Sequence, residues 1–233
     1  MSDSLSFNAR ANQGSPGLAG SQGSYVASPG KLAGRLDVLQ ALSGVLLILF
    51  LWAHLLLVSS VIVSPALMNG IGWFFEVTFM AQIGGPVILL LMVFHFIIAA
   101  RKMPFRTGEL CTFWKHAKRL HHKDTWLWLV QVVTAIVILV MASIHVHAVL
   151  STLPITAAKS AERVQNGWLL FYLVLLPMAE LHVSIGFYRL GVKYGYISSG
   201  ARSKFQRVEY YMAGTFIVIG LLTLLRFSYL TIS

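Results

Sequence analysis

Five long runs of apolar residues constrain this chain more than any other feature of its sequence. A helix needs roughly 20 consecutive apolar residues to cross the hydrocarbon core of a bilayer, and each run is at least that long. The runs cover about 36–63, 72–102, 124–151, 166–192 and 207–232. Because 57% of the 233 residues are hydrophobic and only 11% are charged, the sequence predicts an all-α integral membrane bundle of five transmembrane helices.

The first 32 residues differ in composition from the rest of the chain. They are rich in Gly, Ser, Ala and Asn, and they have no apolar core of the kind that a secretory signal carries. We interpret residues 1–32 as a flexible or partner-ordered cytoplasmic tail and residues 33–233 as the membrane domain.

The basic residues indicate which side of the membrane each connection faces. A formal charge of +10 could suggest nucleic acid, but Lys and Arg lie between the apolar runs and not on an aromatic-interleaved patch, so we expect no nucleic acid partner. The connections 101–123 and 189–207 carry seven and five basic residues, whereas 64–71 carries none and 152–165 carries two. Basic connections face the cytoplasm. The N-terminus should therefore be cytoplasmic and the C-terminus periplasmic.

The cysteine content limits the metal centres that the chain can hold. Cys111 is the only cysteine, which excludes an internal disulfide. An iron–sulfur cluster needs about four thiolates. Any such cluster that works with this chain must belong to another subunit.

Four histidines lie inside four different apolar runs, where an ionisable side chain is costly and usually marks a function. Counted from the cytoplasmic ends at about 1.5 Å per residue, His54 and His145 lie roughly 27 and 32 Å deep, and His95 and His182 roughly 10 and 16 Å deep. We name these the outer pair and the inner pair. Two imidazoles at matching depth supply the axial ligands of a six-coordinate haem iron, so the pattern predicts two haems stacked across the membrane. The alternative is that each histidine only hydrogen-bonds a neighbouring helix.

The remaining histidines fit this pattern less well. His147 lies about 200° from His145 around the same helix, so both cannot face one haem. His116, His121 and His122 lie in the basic connection and are expected to be solvated. Small residues near the histidines could let a flat macrocycle approach the backbone, although they are also typical of helix packing. They are Gly44, Ala53, Ala142, Ser143 and Gly186.

Several stretches of the sequence resemble one known family. YLVLLPMAELHVSIGFYRLGVKYGY, from Tyr172 to Tyr196, looks like the fourth helix of the dihaem cytochrome b subunit of quinol:fumarate reductases and succinate:quinone oxidoreductases. LWAHLLLVSS, FHFIIAARKMPF, and DTWLWLVQ leading through SIH to His145 are similar to other helices of the same subunit. The resemblance covers roughly residues 36–230.

The resemblance implies the roles of particular residues and the partners of the chain. The outer pair would bind a distal haem b and the inner pair a proximal haem b, which is the pairing that the depths predict. The resemblance also implies residues that contact the haem propionates. Gln40, Trp128 and Lys193 stand at the matching positions. The chain would be the quinone-reactive membrane anchor of a fumarate reductase or succinate dehydrogenase complex in the cytoplasmic membrane. It would pass electrons between menaquinol and an iron–sulfur subunit, which works with a flavoprotein subunit that interconverts fumarate and succinate.

Two carboxylates are candidates for proton chemistry. Glu76 in FFEVTF is the candidate base that would accept protons from menaquinol. The connection between the first two helices, however, looks shorter than in the family. The alternative interpretation is that Glu76 is an interfacial carboxylate facing water. Glu180 lies near mid-membrane beside Pro177 and about 200° from His182, where a charged carboxylate is costly. The resemblance implies that Glu180 passes protons across the membrane, and a structural hydrogen bond is the alternative.

Two other functions stay open on the residues alone. A haem-free proton-coupled transporter would use the buried histidines and glutamates as a relay, and a haem spectrum would separate it. A cytochrome b anchor of a hydrogenase or formate dehydrogenase is a closer alternative. The ELHVSIGFYRL string argues against that anchor, and the large subunit that co-purifies would decide.

Overall fold

The computed structural model describes residues 30–103, 107–120 and 123–231, and within these ranges all of the secondary structure is helical. Most of the predicted tail, residues 1–29, therefore lies outside the described residues. The helices are α1 (Lys31–Val63), α2 (Pro65–Val77), α3 (Met80–Ala100), α4 (Thr107–Leu120), α5 (Lys123–Leu150), α6 (Ala157–Arg163), α7 (Leu169–Lys193) and α8 (Arg202–Ser228).

Five helical segments of the described chain are long and apolar enough to cross a membrane. They are Lys31–Val63, Met80–Ala100, Lys123–Leu150, Ala157–Lys193 and Ser199–Ser228. Their outer surfaces are apolar: Leu56 and Leu170 are each 72% exposed, and Leu90 is 68% exposed. Helices that present apolar side chains outward as well as inward suit lipid as their solvent. The predicted all-α bundle of five transmembrane helices is confirmed.

The five spans close into a ring. α1 packs against α3, α3 against α5, α5 against α7, α7 against α8, and α8 against α1. Glycines permit the closest approaches between neighbours. A Cβ added at Gly220 of α8 would lie 2.6 Å from Cδ1 of Leu176 in α7, and one at Gly85 of α3 would lie 2.8 Å from Cδ2 of Leu150 in α5.

Short helices close one end of the ring, which we call the cap end and define as α2, α6 and the connection 151–156. A cluster of buried apolar residues holds it together: Val61, Met68, Ala157, Ala161, Val164 and Phe227. Asn69 Oδ1 accepts a hydrogen bond of 2.7 Å from the backbone N–H of Ala157 and so ties α2 to the start of α6. The opposite end, which we call the basic end, carries the connections 101–123 and 193–202 with their Lys and Arg residues.

The second span differs from its predicted bounds. We predicted one apolar helix over 72–102, but α2 ends at Val77 and α3 begins at Met80. Phe79 between them has φ 57°, a left-handed conformation that cannot continue a right-handed helix. The Thr78 hydroxyl donates a 2.7 Å hydrogen bond to the Phe74 carbonyl and completes the last turn of α2. The hydropathy of the run does not reveal this break, because both sides of it are apolar.

The fourth span and the first basic connection contain more helix than predicted. The fourth span starts at Ala157, earlier than the predicted 166, and it passes through a wide turn at Val164–Trp168 before α7. Gly167 in that turn has φ 97°, which favours glycine. The basic connection after α3 contains α4, with Glu109 in its first turn and Lys118 in its last. These charges suit the helix dipole.

Candidate functional site

A cavity of about 1050 Å³ runs through the centre of the ring. Its lining reaches from Asp37 and Lys193 at the basic end to Ile155 and Arg163 near the cap end, and it includes all four membrane histidines. A pocket for one small molecule usually measures roughly 300–1,000 Å³. The cavity is therefore at the upper end of the size range of ligand pockets.

The outer pair meets across this cavity. The ring centroids of His54 on α1 and His145 on α5 are 5.8 Å apart, and the ring planes make an angle of 64°. A metal ion that bonds one nitrogen of each imidazole at about 2 Å would hold the centroids roughly 6 Å apart. The Nδ1 atom of His145 lies 3.2 Å from the Tyr172 hydroxyl, which leaves Nε2 as the other ring nitrogen for a ligand. The spacing suits a metal between the two rings.

The first member of the inner pair, His95 on α3, has its tautomer set by a serine. His95 Nδ1 lies 2.9 Å from Ser43 Oγ on α1. The Ser43 hydroxyl donates its hydrogen to the Leu39 carbonyl at 2.8 Å, so it accepts from His95. The hydrogen of the neutral ring is therefore on Nδ1, and Nε2 has a free lone pair.

The second member, His182 on α7, is held in the same way by α5. Its Nδ1 donates to the Gln131 carbonyl at 3.1 Å and lies 3.1 Å from Thr134 Oγ1. A carbonyl can only accept, which places the hydrogen on Nδ1 and leaves Nε2 free. His182 and His95 both line the cavity. Histidines that bind metals usually donate their other ring N–H in this manner.

The other histidines have different surroundings. His147 is exposed and does not line the cavity, whereas His145 does. His116 on α4 is exposed, as expected for a solvated residue. His121 and His122 lie outside the described residues. Of the two histidines on α5, only His145 is therefore placed to face a ligand in the cavity.

Most of the predicted small residues do line the cavity. A Cβ added at Gly44 would lie 3.1 Å from Cε1 of His95, so this glycine makes room for the imidazole. Ala53, Ala142 and Gly186 also line the cavity. Ser143 does not. Its hydroxyl donates to the Leu139 carbonyl at 2.6 Å, which satisfies it within its own helix.

A cluster of charges surrounds Asp37 at the basic end of the cavity. Lys102 Nζ lies 2.7 Å and Lys193 Nζ 2.9 Å from its carboxylate, and Arg101 also bonds it. Burial removes water from the Lys102 ammonium, and Lys193 and Arg101 repel its charge, so the pKa of Lys102 is lowered from its ordinary value. One carboxylate thus faces three cations. The excess positive charge favours an anionic ligand at this end of the cavity.

The other two predicted propionate partners lie on the cavity wall. Gln40 is one helical turn from Asp37 along α1, and Trp128 is one turn from Asp124 along α5, and both line the cavity. Trp128 also packs on Phe113 of α4, with ring centroids 4.5 Å apart. This contact connects α4 to the wall of the site.

Glu76 has a more constrained position than a freely solvated carboxylate. It lies near the end of α2 and is half-buried. Its Oε1 accepts from the backbone N–H of Ile155 at 3.1 Å, and its Oε2 accepts from Gln82 Nε2 at 2.9 Å. It therefore joins α2, the start of α3 and the connection 151–156. Ile155 lines the cavity, but Glu76 itself does not.

Glu180 lies inside the bundle as predicted. It is 2% exposed, it lines the cavity, and it follows Pro177 within α7. Proline lacks the N–H that would bond the carbonyl one turn earlier, which here belongs to Leu173.

Comparison with known proteins agrees with this geometry. Residues 112–223 match the family described as succinate dehydrogenase/fumarate reductase transmembrane subunit. The chain is 37% identical over 217 residues to the fumarate reductase cytochrome b subunit of Helicobacter pylori (strain ATCC 700392 / 26695), a match that covers 87% of this chain and 85% of that protein. It is 30% identical over 208 residues to the fumarate reductase cytochrome b subunit of Wolinella succinogenes, covering 83% and 81% respectively. This chain belongs to the fumarate reductase cytochrome b subunits. It is a multi-pass membrane anchor of that enzyme complex.

A cytochrome b subunit holds haem, and the residues present fit that group. The outer pair has a spacing that suits an iron between the two rings. In the inner pair, both Nε2 atoms have their lone pairs free. The cavity between the pairs is mostly apolar in its lining residues and becomes positively charged at the basic end. A macrocycle with an apolar body and two carboxylates matches that distribution.

Sequence reasoning did not identify the oxygen partners of the histidines. They are Ser43, Gln131, Thr134 and Tyr172. Hydroxyls inside apolar runs were visible in the sequence. However, such a hydroxyl commonly bonds the carbonyl one turn back in its own helix, so the pattern alone does not reveal a second partner.

Proposed function

We propose that this cytochrome b subunit passes electrons from menaquinol to an iron–sulfur subunit through two haems b. The basic end would face the cytoplasm and the cap end the periplasm, so the N-terminus is cytoplasmic and the C-terminus periplasmic in the cytoplasmic membrane. A flavoprotein subunit beyond the iron–sulfur subunit would carry the fumarate and succinate chemistry. The observation that carries the proposal is the pairing of the histidines around one cavity, with the outer pair 5.8 Å apart.

Each histidine pair would hold one haem. His54 and His145 would bind the distal haem, and His95 and His182 would bind the proximal haem, which would lie nearer to the basic end. When bound, each haem supplies one-electron oxidation and reduction. Partners of the Nδ1 atoms of His95, His145 and His182 would orient these ligands, and the mostly apolar lining would surround each haem.

The basic end would hold the propionates of the proximal haem. Lys193 would contribute positive charge, and Gln40 and Trp128 would contribute hydrogen-bond donors from their side chains. Asp37 holds Lys193 in place. The carboxylate also prevents three adjacent cations from repelling one another when no anion is present.

Glu76 would act as the base for menaquinol at the cap end. Its two hydrogen bonds fix the direction of its carboxylate. A carboxylate can accept the proton that quinol releases as its electron leaves. Glu76 lies near the end of α2 at the cap end, so this step would take place on the periplasmic side of the membrane.

Glu180 would carry protons across the membrane with the electrons. Moving an electron across the bilayer against its potential costs about 2.3 kcal/mol per 100 mV. A proton moving in the same direction offsets that electrical work. Glu180 is the carboxyl on the cavity wall between the two ends of the bundle.

Purification of the whole complex tests the proposal. We expect two haems b per chain, two midpoint potentials in a reductive titration, and co-purification of an iron–sulfur protein and a flavoprotein. One haem or none would overturn the two-haem assignment. A spectrum without haem would favour a proton-coupled transporter, and a hydrogenase or formate dehydrogenase large subunit would favour the other cytochrome b anchor. Titration with a low-potential and a high-potential quinol would identify menaquinol as the donor.

A further inference from the structure

Gln82, in the first turn of α3, is bonded to the proposed quinol base. Its Nε2 donates to Glu76 Oε2 at 2.9 Å and to the backbone carbonyl of Glu76 at 3.4 Å. Both hydrogens of the carboxamide nitrogen are thus directed at one residue. Gln82 is half-buried and, like Glu76, does not line the cavity. Gln82 therefore contacts the proposed base from outside the haem site.

This contact depends on the break between α2 and α3. On one continuous helix, Glu76 and Gln82 would lie about 240° apart around the axis and about 9 Å apart along it, too far for a hydrogen bond between their side chains. The left-handed Phe79, with φ 57°, turns the chain between them. Such a conformation is costly for a residue other than glycine. The break therefore brings a side chain of α3 onto the carboxylate at the end of α2.

The carboxylate also determines which way the Gln82 carboxamide points. The Oε1 atom of Gln82 is buried and has no hydrogen-bond partner among the described residues, and an unpaired buried acceptor is costly. Turning the amide over would place Oε1 against Glu76 Oε2, and an ionised carboxylate has no hydrogen to offer a second acceptor. A hydrogen bond to an ionised carboxylate is roughly twice as strong as one between neutral groups. The bond to Glu76 therefore decides the orientation of Gln82.

Gln165, near the cap end, shows a purely structural use of the same side chain. Its Nε2 donates at 2.8 and 2.9 Å to two backbone carbonyls at and just beyond the end of α8, and it bonds no titratable group there. Gln82 instead holds one oxygen of Glu76, while the Ile155 N–H holds the other oxygen at 3.1 Å. With both oxygens held, the carboxylate keeps one direction. Each carboxylate oxygen still has a second lone pair that can take a proton.

We propose that Gln82 is a positioning residue of the quinol site, which aims the Glu76 carboxylate at a hydroxyl of menaquinol. This inference rests on the proposed function, in which Glu76 is the base. Each time menaquinol gives an electron to the complex, one of its O–H bonds breaks and the proton forms an O–H bond with the Glu76 carboxylate. Gln82 gains and loses no proton. A misplacement of about 1 Å can reduce a rate by about 100-fold, so the fixed direction of the base favours turnover.

The test compares Gln82→Met with Gln165→Met in the whole purified complex, with menaquinol as donor and fumarate as acceptor. Methionine has a similar length and no N–H, so each change removes the hydrogen bonds of one glutamine. We expect Gln82→Met to keep both haem spectra and to reduce fumarate normally when a soluble reduced dye replaces menaquinol. Its kcat with menaquinol should fall about tenfold or more while KM for menaquinol changes by less than about threefold, because the lost bond orients the base and not the substrate. Gln165→Met is the matched control and should have a normal kcat.

Three outcomes would overturn the inference: a normal kcat in Gln82→Met, a rise in KM without a fall in kcat, or an equal loss in Gln165→Met. If Gln82→Met loses haem, Gln82→Leu replaces it under the same criteria, and loss of haem in both would show a structural role and also overturn the inference. Glu76→Gln separates the two levels of the proposal. Inactive Glu76→Gln with normal Gln82→Met refutes only this inference, whereas normal Glu76→Gln refutes the base of the proposed function.

Discussion

Replacing Tyr172 with Phe should raise the midpoint potential of the distal haem alone. When Nε2 of a neutral imidazole binds iron, its hydrogen must be on Nδ1. The Tyr172 oxygen, 3.2 Å from His145 Nδ1, then accepts that hydrogen. This bond increases the electron density of the ring and so stabilises the oxidised iron more than the reduced iron. Its loss should favour reduction.

The size of the shift follows from the energy of one hydrogen bond. A typical bond contributes about 0.5–1.5 kcal/mol, and 59 mV corresponds to a tenfold change, or about 1.4 kcal/mol, for one electron. The full bond would therefore be worth roughly 20–60 mV, which is an upper bound because only the difference between oxidation states counts. Thr134→Val is the matched control. It removes a hydroxyl from His182 but leaves the Gln131 carbonyl as acceptor.

A redox titration followed by the optical spectrum of each haem measures both variants. We expect the distal potential to rise by up to roughly 60 mV in Tyr172→Phe while the proximal potential stays unchanged. Thr134→Val should change the proximal potential by less than Tyr172→Phe changes the distal potential. A shift of the proximal haem in Tyr172→Phe, or a fall in the distal potential, would show that Tyr172 does not accept from a ligand of the distal iron.

Three further predictions test the site. His54→Ala should remove only the distal haem and His182→Ala only the proximal haem, because low-spin iron here needs both axial ligands; haem content and spectra check this, and loss of the opposite haem contradicts the pairing. Glu76→Gln should keep both haems but lose quinol oxidation in a turnover assay, since an amide is no base; wild-type turnover would leave Glu76 with its structural bonds only. Gly44→Ala should perturb the spectrum of the proximal haem, because the new Cβ would lie 3.1 Å from the His95 ring. The control is Gly34→Ala, whose Cβ would meet no described atom within 4 Å and should leave the spectrum unchanged. Equal spectra of the two variants would refute the steric argument.

The sequence was sufficient for the features that depend on depth in the membrane. Apolar runs have to match the bilayer thickness, so the number of spans followed from hydropathy. Helical rise converts position in a run into depth, and this placed His54 and His145 at one level. The structure brings these two rings together. Depth alone does not show which side of each helix faces the cavity. The structure distinguishes the two histidines of α5, because His147 is exposed.

Features that depend on local backbone geometry or on contacts between helices were not predictable in this way. The break at Phe79 lies between two apolar segments and leaves no trace in hydropathy. Ser43 and Thr134 each bond a carbonyl of their own helix as well as a histidine of another helix. Only the packing of α1 on α3 and of α5 on α7 shows the second partner.

Glu180 and His182 both line the cavity, but they leave α7 in different directions, which keeps the carboxyl from lying directly against the iron ligand. His182 and Glu180 are two residues apart and so point about 200° from each other around the helix. His182 is bonded to α5, whereas Leu176, one turn from Glu180 along α7, packs where Gly220 of α8 makes room for it. α8 contributes no histidine to the site, although α1, α3, α5 and α7 each contribute one. We expect this division because a proton needs a chain of exchangeable polar groups, whereas haem ligation needs neutral imidazoles in dry surroundings. Placing both on one face of α7 would bring a titrating carboxyl against the iron ligand and change the potential of the haem with every proton that passed.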